Sequence, residues 1–420
     1  MEISKPLRRT LILTGFAAIC LAAAFLLGQR SVTQKDAAYF FVKETKVKVV
    51  HEVNQLSERL ESRPKIADPY ASDEIKVFTG NDFSLQLLHL EGFGNSEKTA
   101  GYVPDAQGVI TKYEQNDLDT HWTHFGLGEA IQDAKPSTYR GGGLKQIWVY
   151  QDQTFGLISL QQTLNGCYFA SVVNLSLRKE VFRAPCLPPV DELDFSSIGG
   201  AWTAVPGGII MSLGTPSDDE RVANLAQDPA SPYGKVLFFD DARLKAQSAV
   251  RREAFQVHSS GHRNPQGMVR VGNAIYAIDH GPKGGDEINL LESGRNYGWP
   301  LFSLGSTYQG QPHRAVGDPQ VYTGPLFAFV PSIAPSDITS CPALLMQRYA
   351  PLNCVLITSL RGQSLFVGLI GQDHRVVSLE RINVDMRLRE FLRLPGDRLA
   401  VATDGFGAFE VVFGDLIIPH

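Results

Sequence analysis

Apolar residues gather along this chain in short runs of four to six, and the runs come in pairs. Ile147–Tyr150 is followed by Leu157–Leu160, and Ile209–Leu213 by Val236–Phe239. Further along come Ala274–Ile278 with Ile288–Leu291, Val355–Leu360 with Leu365–Leu369, and Leu399–Thr403 with Phe409–Phe413. Each pair is broken by a polar or glycine-rich turn, the pattern of antiparallel strands rather than helices. From about Asp73 onward no long amphipathic helix interrupts them. Antiparallel units that recur in this way predict radial repetition, and residues 73–420 are long enough for a six-bladed β-propeller. A β-sandwich or a two-domain β protein is the structural alternative. Propeller closure by strands from both chain ends would set Ala408–Phe413 beside an early strand.

The first 72 residues follow a different pattern. Thr10–Gln29 is twenty residues without a charge, flanked by Lys5, Arg8 and Arg9 on one side and Arg30 on the other. A helix of that length, at about 1.5 Å per residue, spans a bilayer core of about 30 Å. The basic flank predicts that residues 1–9 stay in the cytoplasm as a short tip. Residues 10–29 are then a single-pass transmembrane signal anchor, and the rest lies on the periplasmic, extracytoplasmic side of the inner membrane. A cleavable signal peptide, with Ala22-Ala23-Ala24 as its cleavage region, is the alternative. Residues 30–72 read as a helical stalk or linker. Val42, Val49, Val53, Leu56 and Leu60 fall near helical spacing, until Pro64 and Pro69 stop the pattern. The stalk fits a short coiled coil, a surface for a membrane-protein partner, or a solvated spacer.

Composition adds little to this picture but excludes one class of function. A formal net charge of −5 is no basis for nucleic-acid binding. The 39 glycines and 24 prolines suit many strands joined by turns. Beyond Cys20 there are four cysteines, Cys167, Cys186, Cys341 and Cys354, which allow three pairings. Neighbours in sequence give the simplest, Cys167 with Cys186 and Cys341 with Cys354, and an exported protein would permit both. Four free buried thiols are the alternative. Asn174-Leu175-Ser176 matches a glycosylation acceptor triplet, which carries weight only in a eukaryotic secretory route.

The most informative stretch is Gly261–Pro300, GHRNPQGMVRVGNAIYAIDHGPKGGDEINLLESGRNYGWP. Two polar turns, His262-Arg263-Asn264-Pro265-Gln266-Gly267 and His280-Gly281-Pro282, bracket an apolar strand. Together with Pro331–Ser336, Ser359-Leu360-Arg361-Gly362 and Arg387-Leu388-Arg389, this segment closely resembles the pyrroloquinoline quinone (PQQ) dependent soluble glucose and aldose sugar dehydrogenases, the glucose/sorbosone dehydrogenases. The likeness is weaker at Gly142-Gly143-Leu144, Gly199-Gly200 and Gly234–Leu237, and is lost before about residue 135.

The resemblance implies a six-bladed propeller that oxidises an aldose or another small alcohol by hydride transfer to PQQ. PQQ is a flat orthoquinone with three carboxylates, so fixed guanidiniums suit it: they grip carboxylates in two places and stack on rings. Positions matching Arg263, Asn264, Arg361, Arg387 and Arg389 contact PQQ in that family. Arg387 and Arg389, two apart on a strand, share a face, an arrangement that costs energy unless an anion lies between them. The carbonyls of Gly281 and Pro282 match those that hold a calcium ion, a hard cation that takes carbonyl oxygens. The acids that follow, Asp286 and Glu287, either support that site or satisfy nearby backbone groups.

Four positions depart from the family. Ser197 stands where a histidine acts as the base that takes the substrate proton, and a serine hydroxyl is a poor base without an activator. Ala201 replaces an arginine, Gly214-Thr215 replaces Gly-Asp, and Gly141 replaces a glutamine. His121 and His124 are candidates for a substitute base. The expectation is a membrane-anchored quinoprotein-type dehydrogenase whose usual catalytic base is lost. The alternative is a non-catalytic propeller that binds a ligand or serves as an interaction or assembly subunit of a membrane complex.

Overall fold

The computed structural model describes residues 76–79, 83–90, 99–104, 110–114, 127–245, 253–308, 311, 319–404 and 407–415. The expected tip 1–9, anchor 10–29 and stalk 30–72 lie outside these residues, as do His121 and His124. Among the described residues no helix is long and apolar enough to cross a membrane.

Asp73–His420 forms one compact unit. Its early strands are β1 (Lys76–Thr79), β2 (Phe83–His89), β3 (Thr99–Pro104) and β4 (Ile110–Glu114). The first full blade contains β5 (Ala134–Pro136), β6 (Gly143–Tyr150), β7 (Gln153–Gln162), β8 (Tyr168–Asn174) and β9 (Lys179–Arg183), with β5 and β6 sharing one edge of β7. The second is β10 (Gly199–Val205), β11 (Gly208–Leu213), β12 (Lys235–Asp240) and β13 (Gln256–Ser260). The third is β14 (Pro265–Val271), β15 (Ala274–Asp279), β16 (Asp286–Leu290) and β17 (Phe327–Phe329). The fourth is β18 (Pro335–Ser340), β19 (Asn353–Ser359), β20 (Ser364–Ile370) and β21 (Val376–Asn383). The fifth joins β22 (Leu388–Leu394), β23 (Arg398–Thr403) and β24 (Ala408–Asp415) to β2 and β1. Every pairing is antiparallel, and β24 lies along β2, with Leu85 opposite Phe413. The last strand is therefore closed against an early one.

This is an all-β propeller, but the described residues form five full blades rather than six. Between the fifth and first blades stands a two-stranded ribbon, β3 with β4. Strand β3 packs against β22 on one side and β6 on the other, so the ring of inner strands runs β3, β6, β10, β14, β18, β22. The ribbon completes that ring with half the strands of a blade.

Burial explains which segments form which strands. Middle strands are sandwiched between neighbouring blades and are largely apolar: all six residues of β11 are buried, and five of them carry no polar side-chain group. Outer strands such as β21 are mostly exposed or half-buried. The core lies between blades. Trp148, Phe155 and Phe182 of the first blade meet Ile209, Met211 and Phe239 of the second. Tyr276, Ile278 and Ile288 of the third meet Ile338, Val355 and Phe366 of the fourth. The hairpin between β14 and β15 turns on Gly272, whose φ of +61° suits a residue without a Cβ.

Two disulfides join Cys167 to Cys186 and Cys341 to Cys354, with Cα atoms 5.7 and 5.4 Å apart. The sequence-neighbour pairing is the one the fold adopts. Asn174 of the glycosylation triplet is fully buried, and its amide nitrogen donates to Gln153 and to the Leu244 carbonyl, each at 2.9 Å. It is closed to a glycan.

Candidate functional site

In each blade the start of the inner strand pairs with the end of the next strand. Gly143 faces Ser159, Gly199 faces Leu213, Pro265 faces Asp279, Pro335 faces Ser359 and Leu388 faces Thr403. Residues just outside these pairs therefore share one rim of the ring. They include Gly141, Ser197, Gly214-Thr215, Arg263-Asn264, His280–Pro282, Ala334, Arg361, Arg387 and Asp404. Positions scattered over 263 residues of sequence are thus gathered by the repeat itself.

Arg263 is nearly buried. Its Nε and Nη2 fork onto Asp218 at 3.1 Å each, its Nη1 donates to the Gly281 carbonyl at 3.2 Å, and its guanidinium stands 5.2 Å from the Trp299 ring centre. Burial disfavours its charge, but Asp218 more than compensates and raises its pKa. The backbone amides of Arg263 and Asn264 donate to the two oxygens of Asp279, at 3.1 and 2.6 Å. The Asn264 carbonyl oxygen of the side chain accepts from Gly199 N at 3.2 Å, tying the third blade's turn to the second blade.

Arg387 and Arg389 do share a face, and the anion between them belongs to the chain. Asp404 accepts from Arg387 Nε at 3.0 Å and from Arg389 Nε and Nη2 at 2.8 and 2.9 Å. Partial burial pushes the Asp404 carboxyl up, but the two guanidiniums outweigh it and hold the carboxyl below its usual range. Arg361 is placed on the rim by its backbone amide, which donates to the Ile333 carbonyl at 3.0 Å. Its side chain is exposed, with no ion pair among the described residues.

The turn His280-Gly281-Pro282 is held by Asp286, which is fully buried. One oxygen accepts from Gly281 N at 3.0 Å. The other accepts from Ile333 N and Ala334 N, at 2.8 Å each, and from the Ser332 hydroxyl. Of the two readings for this acid, the structure shows the second: it satisfies backbone groups, and so links the third blade's turn to the loop that seats Arg361. Burial lowers the His280 pKa, and its Nε2 donates to the Pro335 carbonyl at 2.6 Å.

The expected calcium site fits poorly. The Gly281 carbonyl is turned onto the Arg263 guanidinium, where a second cation would be repelled. Among the described residues no group of three or more His, Cys, Asp or Glu is arranged to hold a metal.

The ring encloses a cavity of about 620 Å³, lined in part by Lys145, Gln146, Ser196, Gln266, Asp337 and Arg389. Of the residues expected to contact PQQ, Arg389 lines this cavity, while Arg263, Asn264, Arg361 and Arg387 do not. The segment 195–197 closes onto the first blade. A Cβ on Gly141, whose φ is +65°, would lie 2.3 Å from Ser196 N, so only glycine permits this approach. Lys145 Nζ donates to the Ser196 carbonyl at 3.2 Å. Ser197 donates its amide to the Asp194 carbonyl at 3.0 Å, and its hydroxyl has no partner among the described residues. Thr215, at the family's acid position, accepts from Trp299 Nε1 at 3.1 Å and donates its amide to the Arg263 carbonyl at 2.9 Å. Ala201 is buried in the apolar contact between the second and third blades.

Residues 197–409, just over half of the chain, match the family model described as Glucose / Sorbosone dehydrogenase. The chain belongs to the glucose/sorbosone dehydrogenase family. An uncharacterized protein of Synechocystis sp. is 30% identical over 194 residues, 44% of this chain and 47% of that protein. The aldose sugar dehydrogenase YliI of Escherichia coli is 47% identical over 94 residues, 20% of this chain and 24% of that one. The chain thus matches about half the length, or less, of these curated relatives. The PQQ-bound form of aldose sugar dehydrogenase from Streptomyces coelicolor superposes with a TM-score of 0.53 at 18% identity, covering 79% of this chain and 98% of that one. That likeness is one of fold.

Sequence reasoning found the rim arginines of this glucose/sorbosone dehydrogenase family member but missed Asp404, Asp218 and Lys145. Each lies 15 or more residues from its partner, and none sits in a recognisable motif.

Proposed function

We propose that this protein oxidises an aldose or small alcohol with PQQ as the hydride acceptor, at the outer face of the cytoplasmic membrane, anchored through residues 10–29. The observation that carries the reading is the convergence of Arg387 and Arg389 on Asp404, on the same rim as Arg263 and as Arg361, which has no ion pair among the described residues. Four guanidiniums there share two paired carboxylates, Asp218 and Asp404, while Asp279 and Asp286 spend their oxygens largely on backbone N–H groups. Such an arrangement suits a ligand rich in carboxylate.

Bound PQQ supplies the hydride acceptor. The chain's own residues do the rest. Arg361, Arg387 and Arg389 hold carboxylates, with Asp404 as the internal anion that keeps two of them aligned until a ligand arrives. Arg263, pinned between Asp218 and the Trp299 ring, offers a rigid cationic wall. Asn264 keeps its turn fixed against Gly199. The two disulfides support an oxidising compartment, and with it export.

The Ser197 hydroxyl, without a partner among the described residues, supports a second reading, a propeller that binds its ligand without turnover. Purified full-length chain titrated with PQQ, in buffer with and without calcium, separates the two. The visible bands of PQQ are expected to shift on binding, with affinity falling at least 100-fold in Arg387→Ala/Arg389→Ala, since two charge-assisted forks are lost. Dye reduction with D-glucose, D-xylose or ethanol supports oxidation. Binding without dye reduction supports the second reading, and absence of binding refutes both.

A further inference from the structure

We propose that Lys145 is the group that accepts the substrate's hydroxyl proton, in place of the histidine missing at Ser197. The assignment rests on the dehydrogenase reading above and adds the residue that reading lacks.

Position is the first argument. Lys145 lies on β6, the inner strand of the first blade, and lines the cavity beside Ser196 and Arg389. Its Nζ reaches the backbone one residue from Ser197, at 3.2 Å from the Ser196 carbonyl. Glycine at 141, itself a departure from the family, lets segment 195–197 close to this distance.

Elimination is the second. Among the described residues the Ser197 hydroxyl has no partner that would activate it. His262 is spent: its Nε2 is 2.9 Å from Ser259 Oγ, its Nδ1 is 3.5 Å from Asp279, and its ring stacks on Tyr297. His280 is held by the Pro335 carbonyl. Among the described residues at this rim, Lys145 is the nitrogen base that also lines the cavity.

Its surroundings suit the task. Partial burial, and then the Arg389 guanidinium, lower the Lys145 ammonium to about 8, against Asp194 and Glu390, which favour the charge. Strand β10 alongside presents no titratable group. A neutral amine donates one N–H to the Ser196 carbonyl and keeps its lone pair for a proton. In the reaction the substrate C–H bond breaks and its electron pair leaves with the hydrogen as hydride to an orthoquinone. The O–H bond breaks, its proton goes to Nζ, its electrons form the C=O bond, and the ammonium later returns the proton to water. Positioned bases of this kind contribute about 10²–10⁴-fold in rate.

The test uses purified full-length chain. In the protein without PQQ, competitive labelling of amines with acetic anhydride across pH, read by peptide mass spectrometry, is expected to give Lys145 a midpoint near 8, apart from the surface lysines near about 10.4. With PQQ and dye, Lys145→Met is expected to lose at least tenfold in kcat on the best of D-glucose, D-xylose and ethanol, while PQQ absorbance titration changes less than threefold. Lys145→Ala is expected to regain part of its rate with added ethylamine. A loss under tenfold, or no ethylamine rescue, overturns the assignment and leaves the dehydrogenase reading intact. Wild-type protein that binds PQQ without turnover, or fails to bind it, overturns both. If neither variant folds, the labelling decides: a Lys145 that titrates with the surface lysines is not the acceptor.

Discussion

Asp286→Ala is the substitution whose outcome follows most directly from geometry. The carboxylate is wholly buried and accepts from three backbone amides, Gly281, Ile333 and Ala334, and from the Ser332 hydroxyl. Alanine leaves these donors facing a small apolar void. Each buried amide without an acceptor costs about 1–3 kcal/mol, so three cost roughly 3–9 kcal/mol. Removal of a buried charge returns several kcal/mol of desolvation, and partial entry of water reduces the loss further. The net expectation is about 3 kcal/mol of destabilisation, a sizeable share of the 5–15 kcal/mol typical of a folded domain. Asp286→Asn, which keeps one acceptor but turns an NH₂ toward a donor, is expected to cost about half as much. Urea denaturation followed by tryptophan fluorescence measures both. The midpoint is expected to fall at unchanged slope, because the surface exposed on unfolding is the same. The same variant is expected to weaken PQQ binding, since the loop that seats Arg361 is released. A loss below 1 kcal/mol for Asp286→Ala would refute the view that this acid braces the rim.

Asp404→Asn tests the internal anion through pH. The folded-state pKa of Asp404 is depressed, so its contribution is complete above the unfolded value of about 3.9 and is lost as pH falls through the lower folded value. The wild type is therefore expected to exceed the variant by about 1 kcal/mol at neutral pH, after allowance for solvent screening, and the gap should close in strong acid. Equilibrium denaturation at pH 7 and pH 3 checks this; a gap that does not shrink in acid contradicts the pairing. Replacement of each cystine by serines, Cys167 with Cys186 and Cys341 with Cys354, is expected to cost about 3 kcal/mol, because the loops closed span 19 and 13 residues. Thermal melts with and without dithiothreitol check it: the reductant should lower the wild-type midpoint and leave the double-cystine-free variant unmoved.

Five paired apolar runs were legible in the sequence, and all five are paired strands in the fold: β6 with β7, β11 with β12, β15 with β16, β19 with β20, and β23 with β24. Most are middle strands, covered on both faces, and so carry continuous hydrophobic runs. The inner strands β10, β14 and β18 carry no paired apolar run, and β22 shows only in the spacing of Arg387 and Arg389. One face of each lines the cavity, so GGAWTAV, PQGMVRV, PSDITS and LREFLRL mix glycine, polar and charged residues with apolar ones. The expected six blades differ from the five found for a related reason: chain length set the number, but among the described residues β3 and β4 supply only a two-stranded ribbon.

The sequence by itself determined the all-β propeller, the family, the sequence-neighbour disulfides as the simplest pairing, and the side chains placed on the rim. Each of these is carried by local pattern, either alternation of burial or a contiguous motif. Tertiary structure decided what those side chains do. Strand pairing within a blade sets Asp404 between Arg387 and Arg389 and turns the Gly281 carbonyl onto Arg263, while packing between blades puts Asp218 on Arg263 and Lys145 against the segment around Ser197. Charges find their partners through strand register within a blade or through packing between blades, 15 or more residues away in sequence, and no local pattern encodes either.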